Sequence, residues 1–528
     1  MGLANRMRPI AVFDTLLRDG CQSADINFSV HDKIELVKAM DDFGIDYIEL
    51  GWPGASRKEM EAFNEVQKVS LRHSKIVAFG STRRISIKAE DDQNLQAIVE
   101  SNAPVACIFG KTWKEHIQKQ LNATPEQNLQ AISDSIRFLK GKGLRVFYDL
   151  EHFFDGFKND REYALACIRE AAGAGAEFAV LCDTNGGTLL DEVHATLNVV
   201  RDFLEKENIS INLGVHFHND CGLGVANSLI AASEGASMIQ GTLNGFGERT
   251  GNADLSQIIP NLVLKMGFPL PSINLGKLTQ LCNIVYMLAN QKPETRKPFV
   301  GKNAFSHKGG IHVDAIMKGA SYEHINPTLV GNQRDIILSD LSGKANIIEV
   351  LKKFGIQADK KDPKVEAMLQ AVEDLEARGY DIGTVPAEQF LLKERFFGAS
   401  PSPLIITQWT IISGKENQEY SECSLKGAFR GDPVEGNAKV AGGPVDAIFQ
   451  AIKNILKDVP YSAQVSLINY KVVIAHDRGA ESSVRVFIEF KGDSGEWGTV
   501  GVSANILEAS LEAIQKGMGY FLANNPPL

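Results

Sequence analysis

Between residue 10 and about residue 265, short apolar runs alternate eight times with amphipathic stretches of helical period. The strand-like runs lie at 10–13, 46–50, 75–79, 104–109, 144–148, 177–181, 212–216 and 237–242. Stretches such as 33–43, 160–172 and 225–232 carry the helical pattern between them. Such alternation dictates parallel strands covered by helices. Eight βα units in about 260 residues match a closed (β/α)8 TIM barrel better than an open doubly wound sheet. In such barrels the chemistry sits on the loops that follow the strands.

That rule gives the polar motifs a common address. His216-Phe217-His218-Asn219-Asp220 lies where the seventh strand ends. Residues two apart on a strand share a face, so these two imidazoles can grip one metal ion. For an isolated His-x-His, two hydrogen-bonded core histidines are the plainer reading. The neighbours change the balance. Arg18 and Asp19 follow strand one, where the carboxylate is a third candidate ligand and the guanidinium suits an anionic substrate. Glu151 follows strand five, Asp183 and Thr184 follow strand six, and Glu248, Arg249 and Asn252 follow strand eight. Scattered decoys would fall on both rims. These residues share one, which favours a metal site.

Composition narrows the partners. The net charge of −10 speaks against a general nucleic-acid role. No apolar run reaches the roughly 18–20 residues of a membrane span. The opening residues Met1-Gly2-Leu3-Ala4-Asn5-Arg6 show no apolar signal core and no myristoylation pattern. Seven cysteines without a Cys-x-x-Cys pair point to free thiols in a reducing, cytoplasmic setting.

At 528 residues the chain has room for more than the barrel. Three parts are expected: a barrel over 1–275, a mainly helical linker over 276–401 and a C-terminal domain over 402–528. Amphipathic helices are predicted over 344–354 and 364–378, and Pro293 and Pro298 mark a connection. The C-terminal part reads as strands at 405–412, 419–429, 464–474, 483–490 and 497–502, with helices at 445–456 and 506–522. Asp446-Ala447-Ile448-Phe449-Gln450-Ala451-Ile452 parallels Glu508-Ala509-Ser510-Leu511-Glu512-Ala513-Ile514. This reads as a duplicated βββα unit of α+β class. Without a catalytic cluster, it is either an effector-binding and dimerisation module or a structural appendage.

Four sequence words together resemble the signatures of the isopropylmalate synthase and homocitrate synthase family. They are Leu17-Arg18-Asp19-Gly20-x-Gln22, His216-x-His218-Asn219-Asp220-x-Gly222-x-Gly224, Gly245-x-Gly247-Glu248-Arg249-Thr250-Gly251-Asn252, and His307-Lys308-Gly309-Gly310-Ile311-His312 with Tyr322. The duplicated tail is similar to that family's allosteric domain, so the likeness covers nearly the whole chain. Glu49-Leu50-Gly51-Trp52-Pro53, Phe79-Gly80-Ser81-Thr82-Arg83-Arg84, Glu151-His152-Phe153-Phe154-Asp155 and Cys182-Asp183-Thr184-Asn185 resemble the (R)-citramalate synthase branch. Cys21 stands where isopropylmalate synthases commonly carry an acid, and Asp149 lies near a position that is tyrosine in some relatives.

The resemblance implies a Claisen condensation of acetyl-CoA with a 2-oxo acid. Asp19, His216 and His218 would ligate a divalent cation (Mn²⁺, Mg²⁺ or Zn²⁺), with Asn252 completing or supporting the shell. Arg18 would bind substrate and stabilise the oxyanion, and Thr184 would hold the substrate carboxylate. Glu151 and His312, with Tyr322 close by, would remove the acetyl methyl proton. His312 would act in its own subunit or across a homodimer. Gly245 and Gly247 would either serve the coenzyme A end or let backbone approach the metal site. Lys111, Arg83 and Arg84 are either phosphate contacts or solvated rim, Trp52 is rim or packing, and Cys182 and Cys221 are small residues beside the site. Pyruvate is the expected 2-oxo acid, in isoleucine biosynthesis, with isoleucine as feedback effector. A larger 2-oxo acid, as in isopropylmalate or homocitrate synthase, is the alternative within the family. A catalytically silent amino-acid sensor is the alternative outside it.

Overall fold

The structure is a computed structural model and describes residues 8–383, 385–398, 403–415, 419–476, 482–493 and 495–525. The opening hexapeptide and the expected boundary at 401/402 lie outside them. Two compact units emerge: residues up to Phe305 with Ile325–Gln333, and Ser306–His324 with the chain from Arg334 on.

In the first unit eight parallel strands close a barrel in chain order. They are β1 (Ala11–Asp14), β2 (Tyr47–Gly51), β3 (Lys75–Ser81), β4 (Val105–Lys111), β5 (Arg145–Glu151), β6 (Phe178–Asp183), β7 (Asn212–Phe217) and β8 (Met238–Gly241). Closure comes from β1 pairing with β8, Val12 opposite Ile239. All eight expected strands form, with ends shifted by at most three residues. Both faces of such strands are buried, so they read as near-continuous apolar runs; every residue of β6 is buried. One face packs outward on the helices through residues such as Val12, Ile48, Ile108 and Val215. The other fills the interior with Phe13, Val77, Val105, Phe147, Phe178 and Met238.

The interior is layered. Tyr47 and Phe147 meet edge-on at 5.1 Å, Phe147 and Phe178 at 4.9 Å, and Phe13 stacks on Tyr47 at 6.0 Å. These rings plug the barrel with apolar surface. Two residues beyond Tyr47, Phe147, Gly214 and Met238 on their strands, the positions become Glu49, Asp149, His216 and Gln240. A dry floor therefore supports a polar layer. The surrounding helices start on local caps: Ser29 and Asp32 form a capping box for Val30–Phe43, and Thr124 and Gln127 form one for Pro125–Gly141.

The second unit holds a short parallel pair, β9 (Ser306–His307) with β10 (Asp335–Ile336). Helices Gly310–Met317, Lys344–Lys353, Pro363–Ala377 and Pro386–Phe397 accompany it. Two antiparallel three-stranded sheets follow. The first comprises β11 (Leu404–Lys415), β12 (Glu419–Phe429) and β13 (Asp432–Val440), then helix Pro444–Ile455. The second comprises β14 (Ser466–His476), β15 (Ser483–Gly492) and β16 (Gly495–Ser503), then helix Ile506–Asn524. The duplicated βββα unit is present, with one correction. The strand reading missed β13, whose Asp-Pro-Val-Glu-Gly start lacks strand signal. The structure tolerates Pro433 there because β13 pairs on one side only, with β12. The two halves share one core, Ile448 and Ile452 with Phe490 and Ile514. The helices before them pack Ile347, Leu351, Met368 and Leu392 against Val500 and Val502 of β16. Among the described residues, no helix is long and apolar enough to cross a membrane.

Candidate active site

Barrel closure brings three side chains from opposite ends of the sequence to one point. Asp19 sits in the loop after β1, His216 on β7 and His218 just beyond it, and all three are buried. The facing ring nitrogens, His216 Nε2 and His218 Nε2, are 3.4 Å apart. Asp19 Oδ2 lies 3.3 Å from the first and 3.9 Å from the second. Ligands each about 2.1 Å from one ion and about 90–110° apart lie roughly 3.0–3.4 Å from each other; two of the three spacings meet this and the Asp19–His218 distance of 3.9 Å is longer, so the trio is close enough to share one cation. Among the described residues it is the only such His/Cys/Asp/Glu group. Asn252 stands beside it: its backbone bridges that of His218, and directly opposed residues put their side chains on one face. Its Nδ2 donates to the Phe246 carbonyl at 3.2 Å. Its Oδ1 is buried with no hydrogen-bond partner among the described residues. A buried acceptor without a donor costs free energy unless something else engages it. A cation's coordination shell would do so.

The glycines of the loop after β8 serve this approach. A Cβ on Gly247 would lie 2.2 Å from Asn252 Nδ2. Gly251 has φ +94° and its Cβ would meet the Gly245 carbonyl at 2.0 Å. Arg249 locks the loop from outside, clamping Asp220 with two hydrogen bonds of 2.8 and 2.9 Å and donating to the Thr184 carbonyl at 2.9 Å. It thereby ties the loops after β6, β7 and β8 together.

Charge in the polar layer is arranged around Arg18. Its Nε donates to Glu49 at 2.6 Å, Nη1 lies 3.2 Å from Asp19, and the guanidinium stacks 3.6 Å over the Phe79 ring. Burial opposes ionisation of Asp19, but Arg18 and the two histidines outweigh it and hold the carboxyl far below its usual range. For Glu49 burial wins and pushes the carboxyl up to about 7, with Arg18 pulling the other way. Burial also raises Asp149. Burial and the neighbouring His216 push His218 down to about 4. For His216 burial is outweighed by Asp19, and the net shift is upward. The trio is therefore an anionic carboxylate facing two imidazoles of unequal basicity.

The other expected residues are distributed as follows. Glu151 ends β5, with Lys111 Nζ 2.5 Å away. Thr184 Oγ1 accepts the His152 amide N–H at 2.9 Å, which leaves its own O–H proton to donate. His152 carries φ +56°, rare for a side-chain-bearing residue. Its ring packs edge-on against His116 at 4.4 Å. Arg83 is committed to structure, bound to Asp134 and to the carbonyls of Arg84, Ile85 and Ile87. Trp52 packs edge-on against Phe79 and Phe109. Cys182 is buried and Cys221 exposed. His312 and Tyr322 belong to the second unit, where their rings lie 4.7 Å apart. Sequence reasoning assigned no role to Glu49 or Gln240, the immediate neighbours of Arg18 and His216.

Comparison with known proteins accords with this layout. The HMGL-like family model matches residues 9–285, the homocitrate synthase post-HMGL domain-like model 299–379, and the LeuA allosteric (dimerisation) domain model 388–522. The chain is 42% identical to the (R)-citramalate synthase of Sulfolobus acidocaldarius over 98% of its length and 97% of the relative's. It is 41% identical to that of Aquifex aeolicus, over 97% of this chain and 98% of the relative. For the (R)-citramalate synthase of Geobacter sulfurreducens the identity is 42%, over 98% of each chain.

Proposed function

The chain belongs to the HMGL-like family and, within it, to the (R)-citramalate synthases, and from that premise we propose how its residues join acetyl-CoA to pyruvate. It is an acyltransferase that condenses the two with water to give (R)-citramalate and coenzyme A. The observation that carries the site assignment is the convergence of Asp19, His216 and His218 beside Arg18. These three residues, with Asn252 supporting through Oδ1, hold a divalent cation, of which Mn²⁺, Mg²⁺ and Zn²⁺ all suit mixed nitrogen and oxygen donors. When bound, the cation supplies Lewis-acid polarisation of the keto group.

The protein's own groups do the rest. Arg18, immobilised by Glu49 and Phe79, still has unused N–H donors for the oxyanion that forms at the keto carbon. Thr184 donates its hydroxyl proton to the substrate carboxylate. Glu151 takes the methyl proton of the acetyl group, with His312 and Tyr322 as the further candidates for the base, and Lys111 keeps the Glu151 carboxylate in place. Gly245 and Gly247 bring backbone close to Asn252, with the coenzyme A end as their other role. Water then cleaves the thioester.

The division of labour is a catalytic barrel over 1–275, a linker over 276–401 that carries His312 and Tyr322, and an effector and dimerisation domain over 402–528. The assembly is a homodimer. Seven free thiols suit the reducing cytoplasm, and the product feeds isoleucine synthesis. Isoleucine binds the C-terminal domain and inhibits. Its coupling route starts at helix Pro386–Phe397, which grips β16 through Glu388 Oε1 on the Val500 amide at 2.8 Å. Truncation after about residue 400 is expected to abolish isoleucine inhibition in steady-state assays. Inhibition that survives unchanged would refute this route.

The substrate test is coenzyme A release with Mn²⁺, comparing pyruvate with 2-oxoisovalerate at equal concentration. Pyruvate is expected to be preferred at least tenfold in kcat/KM, since each methylene is worth about 1–3 kcal/mol in a fitted pocket. Preference for 2-oxoisovalerate would keep the site chemistry and reject pyruvate as the substrate.

A further inference from the structure

His216 does not stand alone behind its candidate ligand atom. Its register partner on β8 is Gln240, and His216 Nδ1 meets Gln240 Oε1 at 3.0 Å. The other end of the amide, Nε2, donates to Asp149 Oδ1 on β5 at 3.1 Å. The same Oδ1 accepts the Cys107 thiol from β4 at 3.2 Å. His216, Gln240, Asp149 and Cys107 are all buried. The hydrogen bonds therefore converge on Asp149, from Cys107 on one side and from Gln240 on the other. Because Oδ1 already receives the thiol, it is an acceptor, and the amide must turn its NH2 toward it. That leaves Oε1 facing the imidazole. An amide oxygen can only accept, so Nδ1 must carry a proton. The proton on Nδ1 leaves Nε2, the atom that faces Asp19 and His218, as the lone-pair nitrogen. A flipped amide would present N–H to Nδ1 and force the opposite tautomer, which cannot ligate through Nε2.

We propose that Asp149 and Gln240 are positioning residues that fix the His216 tautomer and ring orientation for metal binding, with Asp149 setting the direction of the relay. This rests on the assignment of Asp19, His216 and His218 as the metal ligands. Partners of ligating imidazoles orient the ligand and raise its basicity, and losing them typically weakens metal binding about 10–100-fold.

The test is calorimetric titration of the full-length apoprotein with Mn²⁺, alongside its thermal midpoint. Gln240→Leu is expected to raise the Mn²⁺ Kd about 10–100-fold. Gln240→Glu sets two carboxylates at hydrogen-bond distance and is expected to bind as poorly. The double variant D149N/Q240E exchanges amide and carboxylate while keeping the direction: the carboxylate now on β8 accepts from both Nδ1–H and the amide now on β5. It is expected to recover binding to within about threefold of the parent protein, since the paired carboxylates of Gln240→Glu are gone while Nδ1–H keeps an acceptor. A purely structural role would not produce this recovery. If Gln240→Leu binds Mn²⁺ like the parent, or the double variant binds no better than Gln240→Glu, the relay is wrong while the metal site stands. If the parent takes up no Mn²⁺, or Asp19→Ala binds it equally well, the ligand assignment fails and takes the relay with it.

Discussion

Asp19→Ala is expected to lose Mn²⁺ binding and to lower coenzyme A release at least about a thousandfold, because Lewis-acid stabilisation of developing charge is worth several kcal/mol and each 1.36 kcal/mol is tenfold. The reason is geometric. Asp19 supplies the only carboxylate of the trio, and its Oδ2 lies within 3.3 and 3.9 Å of the two imidazole nitrogens. Without it, two histidines 3.4 Å apart face each other with no anion between them, a poor site for a dication. The fold should survive, since Arg18 keeps Glu49 as partner and the barrel floor of Phe13, Tyr47 and Phe147 is untouched. The isoleucine binding proposed for the C-terminal domain should persist in the same variant, which would separate catalysis from sensing. Full activity of Asp19→Ala would show that the metal site is wrongly assigned.

The barrel was legible because eight buried parallel strands leave eight dense apolar runs, and the candidate site followed from the rule that loops after strands carry the chemistry. Asp19 and the two histidines could be named as candidate ligands from spacing and address, and the structure brings them together. Gln240 could not. It sits in Met-Ile-Gln-Gly, a strand with no motif, and its partners His216 and Asp149 are 24 and 91 positions away in sequence. Only closure of the barrel makes them neighbours. Glu49 was hidden in the same way, as a lone acid in the apolar run of β2 that becomes the partner of Arg18. Arg83 shows the opposite case. A basic residue in a rim motif invited a phosphate role, yet the fold spends its guanidinium on Asp134 and three carbonyls. What stayed unread were contacts between distant strands and the competition for each donor. β13 was missed for a local reason, its proline and glycine.

Arg18→Lys is expected to lower kcat about 10²–10³-fold while leaving Mn²⁺ affinity within a fewfold of the parent, the cost of losing one preorganised oxyanion donor. Three contacts fix the guanidinium: Nε on Glu49 at 2.6 Å, Nη1 at 3.2 Å from Asp19, and the face of Phe79 at 3.6 Å. A lysine ammonium is a single point on a flexible stem and cannot keep all three while still presenting a donor to the keto oxygen. It would settle between Glu49 and Asp19, which would preserve the charge balance around the candidate metal ligands and so spare metal binding. Phe79→Leu isolates the stacking contact, which is worth about 0.5–2 kcal/mol, so its kcat should fall less than that of Arg18→Lys. The split between kcat and metal affinity is the diagnostic. If Arg18→Lys instead lost Mn²⁺ binding and kept kcat at saturating metal, Arg18 would be a support for Asp19 and the oxyanion would need another donor.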